Sequence, residues 1–408
     1  MAVMGKWAVL AGGCVALAAC SPYGDGGLYT CTTDEQCGAG GKCANGACAF
    51  PDTSCDTGYR YGSLSGSLAG TCIGGGEQGD GGGGSDGNGS SCYGELDVCL
   101  VQAPSTPLTI GTDTSIDTDS SPMCLPLAGG ATTWCVLGGT QVMVSAGLTA
   151  TGSKPLVIVA TDTIAIGDKL DVASHRNGTT ETVGAGADPS ACDAGTAPTG
   201  DGGGAGGSFG AQGGAGGDSA PNSHGKPGAA ATNPSLQGGC PGQDGSGGGT
   251  KAVGGHGGGA VYLYAATSIS ITGSIDASGE GGLVGVIPDA GGSGGGAGGM
   301  IWLESPTVTV PGIVYANGGG GSSGTGNTTG GSNGDDPTGV GPAAGGMGPT
   351  TNGGKGGAGG AAPGNTGTDA TNGTAGAGGG GGGGGDGVFR VRPNAAGGGG
   401  MFSPLPSS

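Results

Sequence analysis

Aromatic residues make up only 4% of this 408-residue chain, so no large conventional core is available to it. Basic residues are also scarce: 11 Lys plus Arg stand against 30 Asp plus Glu, for a net charge of −19. That balance excludes nucleic-acid binding, which needs cations against phosphates, and it repels anionic lipid. The three histidines, His175, His224 and His256, stand singly in glycine-rich or turn surroundings, with no Ser or Cys nucleophile context. C-x-x-C is absent, so zinc is not expected. Lys251 and Lys355 lack the Ser or Thr that completes a phosphate loop. The 112 glycines follow no G-X-Y register, which rules out collagen.

The N-terminus carries Lys6 and then an apolar run, Trp7 to Ala19, too short to span a bilayer. It ends Leu17-Ala18-Ala19-Cys20, which resembles the lipobox of bacterial lipoproteins. The expectation is a signal peptide over 1–19 and lipidation at Cys20. Ser21 after that cysteine implies the outer membrane. With Cys14 in the signal and Cys20 lipidated, twelve of 14 cysteines remain, an even number that suits disulfides in an exported chain. Six of them, Cys31 to Cys72, predict a disulfide-rich module over 20–73, whose connectivity spacing does not fix. A Gly/Asp/Ser linker is expected over 74–91, and a disulfide-bonded N-terminal cap over 92–133, with Leu108, Ile110 and Ile116 as an irregular cap strand.

The strongest signal is a repeat of alternating apolar residues. Val261, Leu263 and Ala265, then Ile269 and Ile271, then Ile275 and Ala277 form one copy. Ile301 to Ala316 forms a second, Leu156 to Val172 a third at an offset of 105, and Trp134 to Ala150 a fourth at 127. In this alignment Trp134, Val136 and Gly138 take the inward slots, and a partial copy places Phe389 and Val391 inward. Period-2 alternation marks strands with one buried face. A coil of about 22 residues with three short strands reads as an all-β chain, a parallel β-helix over 134–392. Glycine-rich insertions interrupt it at 175–259, 280–299 and 318–386, and a tail follows over 393–408. Such insertions can be flexible linkers, or they can pack as bundled polyglycine II helices, since only glycine lets backbones come so close; the apolar outward face of the strands favours packing. A bridge between Cys192 and Cys240 would span the first of them.

The outward columns read Cys135, Val157, Tyr262, Trp302, Arg390 and Leu137, Val159, Tyr264, Glu304, Arg392. So apolar a face implies a covering of glycine segments; the alternative is that Tyr262, Tyr264 and Trp302 form an exposed platform for sugar rings. Asp171 and Asp276 share one outward position on successive coils, about 4.8 Å apart if stacked. Such a pair suits glycoside hydrolysis or calcium, although Lys169 is the only base beside it, and the residues read more simply as solvated carboxylates. Gly381 to Phe389 fits a calcium-binding nonapeptide, and Gly81 to Asp86 begins one; glycine abundance accounts for both. No metal or cofactor is called for.

Cys31 to Cys72 with Gly58-Tyr59-Arg60-Tyr61, then Gly152 to Val157, Gly238 to Gly242, Gly257 to Gly279 and Ala316 to Gly319, resemble a family of uncharacterised glycine-rich, cysteine-rich lipoproteins of myxobacteria. The resemblance implies an exported surface protein and carries no activity. The expected function is therefore a non-enzymatic surface lipoprotein, structural or adhesive. Its partners would be the membrane through Cys20, extracellular polysaccharide or other surface proteins. The alternative is a β-helix that binds or degrades polysaccharide.

Overall fold

The structure is a computed structural model. It describes residues 31–407 apart from 39, 53–54, 56–57, 63–64, 66–71, 74–84, 87–89, 131–132, 179, 233, 249, 350, 362–365 and 393–396. The signal segment 1–19, Cys20 and residues 81–84 of the truncated nonapeptide lie outside the described residues. The chain divides at Asp80–Gly81 into two units.

In the first unit a 3-10 turn, Asp34–Cys37, starts at a capping box between Thr33 and Gln36. Strands β1 (Lys42–Ala44), β2 (Ala47–Pro51) and β3 (Tyr59–Tyr61) follow as an antiparallel sheet. Its buried clusters are small: Cys31, Cys37 and Cys48 in one, Ala47, Ala49 and Tyr61 in the other. Burial that slight does not hold a fold, and bridges Cys31–Cys43, Cys37–Cys48 and Cys55–Cys72 close it.

The second unit opens with an antiparallel sheet of β4 (Ser85–Asp86), β5 (Ser90–Tyr93) and β6 (Val98–Leu100), bridged by Cys92–Cys99. The described end of the expected linker is thus paired strand. Two parallel sheets then build the body. Their strands are β7 (Leu108–Ile110), β8 (Thr114–Asp117), β9 (Cys135–Val144), β10 (Leu148–Thr151), β11 (Leu156–Ile166) and β12 (Lys169–Asp171). After a short antiparallel pair, β13 (His175–Asn177) and β14 (Thr180–Thr182), come β15 (Ala260–Ala265), β16 (Ser268–Ile271) and β17 (Ser274–Asp276). The last are β18 (Met300–Glu304), β19 (Thr307–Thr309), β20 (Ile313–Tyr315), β21 (Val388–Arg392) and β22 (Met401–Ser403).

One sheet runs β22-β20-β17-β12-β10-β8. In the other, β11 lies between β9 and β15 along its first half and between β9 and β16 along its second. All these pairings are parallel, and they join equivalent positions of the repeat. Ile166 pairs with Val144 on one side and Ile271 on the other, and Val310 is buried in the same cluster. Burying each such aliphatic contributes roughly 1.5–3 kcal/mol to the inner rows.

Three boundaries differ from the sequence reading. Leu156 pairs with Cys135, not Trp134, and Ile158 with Leu137, so Cys135 and Leu137 point inward while Val136 joins the outer cluster. The cause is a register shift between Ala160 and Thr163, where β11 has one residue more than β9. The cap strand is regular: Leu108 and Ile110 pair with Val142 and Val144, and Ile116 with Ala150. The C-terminal segment is no free tail, because β22 pairs with β20 and Phe402 packs on the core.

The glycine-rich insertions are ordered around a three-residue period. Gly378, Gly381, Gly384 and Gly387 donate backbone hydrogen bonds to Thr325, Ser322, Gly319 and Ala316. Gly379, Gly382 and Gly385 donate to Asp201, Gly204 and Gly207, and Gly380 and Gly383 to Thr371 and Thr368. The same segment accepts from Gly292, Gly295 and Gly298, from Gly217 and Gly214, and from Gly354, Gly357 and Gly360. Residues 378–387 thus have six backbone neighbours. A Cβ on Gly381 would sit 1.9 Å from Ser293 O, and one on Gly382 2.1 Å from Gly214 O. Close approach, not a left-handed conformation, demands glycine here. At the perimeter, side chains satisfy backbone groups: the hydroxyls of Thr371 and Thr368 accept from Lys355 N and Ala358 N, each at 2.6 Å.

Candidate functional site

The aromatic face is covered. Tyr262 is 0% exposed, and Tyr264 and Trp302 are 6% exposed, so the sugar platform read from sequence is not available. The β5–β6 hairpin contributes Tyr93, Val98 and Leu100 to the cluster, and the first long insertion contributes Phe209 and Leu236. The cover is therefore more than glycine. Tyr93 and Tyr264 rings lie 5.8 Å apart, Tyr262 and Trp302 5.4 Å, and the Arg390 guanidinium 5.3 Å from the Trp302 ring. Gly94, at φ +67°, leaves room for the Tyr262 hydroxyl, which a Cβ would meet at 1.8 Å.

The second feature is a seam of charge where β12 and β17 lead into the insertions. Asp171 and Asp276 are cross-strand partners, as the sequence alignment placed them. They are not solvated: Asp171 is 8% exposed and Asp276 1%. Lys169 Nζ lies 2.7 Å from Asp171 Oδ2 and 3.1 Å from Asp276 Oδ2. His175 Nε2 lies 3.1 Å from Asp171 Oδ1, and Tyr315, opposite Asp276 on β20, interacts with it through its hydroxyl. Burial pushes the Asp276 carboxyl up, against the pull of Lys169. Burial also raises Asp171, but His175 and Lys169 together outweigh it and leave that carboxyl below its ordinary value.

The seam continues through β13 and β14. Arg176 NH1 lies 2.5 Å from Glu181 Oε1, and Arg176 Nε 3.2 Å from Glu280 Oε1. His256 Nδ1 lies 2.5 Å from Asp188 Oδ2, its Nε2 3.3 Å from Glu181 Oε2, and its backbone N–H donates to Glu280 Oε2. The hydrogen bond to Asp188 lifts His256 to about 9, against burial. Burial lifts Glu280 to about 7. Asp336 joins the two halves, accepting from the backbone of Arg176 and of Gly281.

Two triads here have metal-ligand chemistry, Asp171/His175/Asp276 and Glu181/His256/Glu280. In each a side-chain cation, Lys169 or Arg176, already touches two of the carboxylates. The arrangement is that of an ion-pair network, in which the amino and guanidinium groups supply the charge a metal would. A third cluster, Cys31/Cys37/Cys43, is committed to disulfides. Hydrolysis by Asp171 and Asp276 is blocked by geometry, because Asp276 is sealed from substrate and Lys169 bridges the pair. A cavity of about 640 Å³ borders the seam, lined by Arg176, Asn333, Asp335, Asp336, Thr338 and Pro342 among others, with no aromatic ring.

The sequence isolates His175 and His256; the fold brings them into one seam, while His224 pairs apart from it with Asp218 at 2.7 Å. The local signal is charge density, since Asp168, Lys169, Asp171, His175 and Arg176 crowd a stretch of a chain that is only 10% charged. In the complete nonapeptide, Gly381–Gly387 is buried and continuous with the glycine bundle, and leads into β21. Among the described residues no helix is long and apolar enough to cross a membrane. The twelve cysteines among the described residues form six disulfides, Cys124–Cys135 and Cys192–Cys240 included. The chain matches no protein-family model, no curated protein and no solved structure.

Proposed function

We propose that this chain is a non-enzymatic bacterial surface lipoprotein with a structural or adhesive role, tethered to the outer membrane through lipid on Cys20. Its body is a parallel β-helix with a coil of about 22 residues, flanked by a bundle of polyglycine II helices. The resemblance to glycine-rich lipoproteins of myxobacteria supports the same reading. The observation that carries it is the enclosure of residues 378–387 by six backbone neighbours. That packing uses glycine to build a stiff body of backbone hydrogen bonds and leaves few side chains for chemistry. The sealed aromatic face and the Lys169-bridged Asp171/Asp276 pair take away the residues on which a polysaccharide enzyme would depend.

The anchor is tested by metabolic acyl labelling and membrane fractionation of the full chain, with and without globomycin, beside Cys20→Ala. The reading expects label and membrane association that the substitution abolishes. Unlabelled protein, or Cys20→Ala that remains in the membrane, would contradict it. Glycan-array binding that survives mutation of Asn333 and Asp335 would separate an adhesive surface elsewhere from the bordering cavity.

A further inference from the structure

We propose that Lys169 and Asp276 form an intramolecular isopeptide bond, covalently joining β12 to β17. Three observations meet at this point. The Lys169 amine lies between two carboxylates, 2.7 Å from Asp171 Oδ2 and 3.1 Å from Asp276 Oδ2. Asp276 is 1% exposed, and its Oδ2 is the oxygen that meets the amine. Asp171, cross-strand partner of Asp276, touches the same amine and is itself held by His175. A nucleophile, a water-excluded acyl carbon and a second carboxyl group are therefore in mutual contact.

The reaction is a condensation. Asp276 is favoured as the neutral acid, because burial pushes its carboxyl up, and that form presents an electrophilic Cγ. Burial pulls Lys169 down, but the charges of Asp276 and Asp171 outweigh it and hold the amine protonated. It must pass a proton to Asp171 before it attacks. The Nζ lone pair then forms the Nζ–Cγ bond. Asp171 returns that proton to the departing hydroxyl, the Cγ–O bond breaks and one water leaves; the nitrogen's second proton passes to Asp171, which ends as the neutral acid. Carboxylic acid plus amine gives amide plus water, so no oxidant or outside co-reactant is needed. His175 is a positioning residue, orienting Asp171 through its Nε2 contact.

Peptide mapping by mass spectrometry of the purified, reduced and alkylated protein tests this, using a digest that leaves residues 169 and 276 on separate peptides. The expected result is a linked pair weighing one water less than the two peptides together. Lys169→Arg keeps the positive charge and cannot form the amide, so it must release both peptides at full mass; Asp276→Ala must do the same. Asp171→Ala is expected to leave most of the protein unlinked. Unlinked, unmodified peptides from the wild-type protein would overturn the proposal, and so would a water loss confined to the Asp276 peptide.

Discussion

Glu304 Oε2 accepts a hydrogen bond from the Tyr262 hydroxyl at 2.5 Å, and the same carboxylate accepts from the backbone N–H of Glu95. One side chain thus ties the covering hairpin to the buried aromatic face. Glu304→Ala leaves both donors unpaired near a closed surface. The expected loss is about 1–3 kcal/mol of stability, read as a lower denaturation midpoint. Glu304→Gln keeps one acceptor and should lose less.

The glycine bundle makes a sharper prediction. At Gly382 an added methyl would meet Gly214 O at 2.1 Å, and that atom belongs to backbone. Gly382→Ala should destabilise the second unit by at least about 2 kcal/mol. Gly330→Ala, where nothing lies within 4 Å of the added methyl, should stay within about 0.5 kcal/mol of wild type in the same denaturation series.

How far the sequence reveals this fold depends on the residue. Val144, Ile166, Ile271 and Val310 are legible as one row because they recur at constant offsets in the repeat, and all but Val144, which follows Met143, have only small or polar neighbours. The first half of β9 is not, because Trp134 to Leu137 is apolar on both phases and either register buries aliphatics. Only the pairing with β11 shows which phase points inward. A cover over Tyr262, Tyr264 and Trp302 is legible from the apolar face itself, but its make-up is not, since Tyr93, Leu100 and Phe209 lie far away in sequence. Asp171 and Asp276 are legible as a column, but their burial depends on Lys169, Tyr315 and the insertions above them.

Stability should fall in mildly alkaline solution. His256 has an ordinary value of 6.5 and stands at about 9 in the fold, chiefly through Asp188. Its contribution is complete below pH 6.5 and is lost as pH rises toward 9. The loss amounts to at most about 3 kcal/mol. His256→Gln should flatten the denaturation midpoint across that window. Glu280, raised by burial to about 7, adds a separate decline between pH 4.5 and 7, as ionisation charges a buried group.

The Cys192–Cys240 bridge closes 48 residues of the first insertion. Replacing both cysteines with serine should reduce stability by about 2–4 kcal/mol. Limited proteolysis should then cut first within 192–240, while fragments carrying β15 to β20 stay intact.

Hydrogen–deuterium exchange across residues 378–387 reads out the glycine packing itself. Every glycine N–H of this run donates a backbone hydrogen bond, which predicts protection comparable to that of β11 and β15. Exchange of these amides at the rate of an unstructured glycine peptide would mean that the run is not packed.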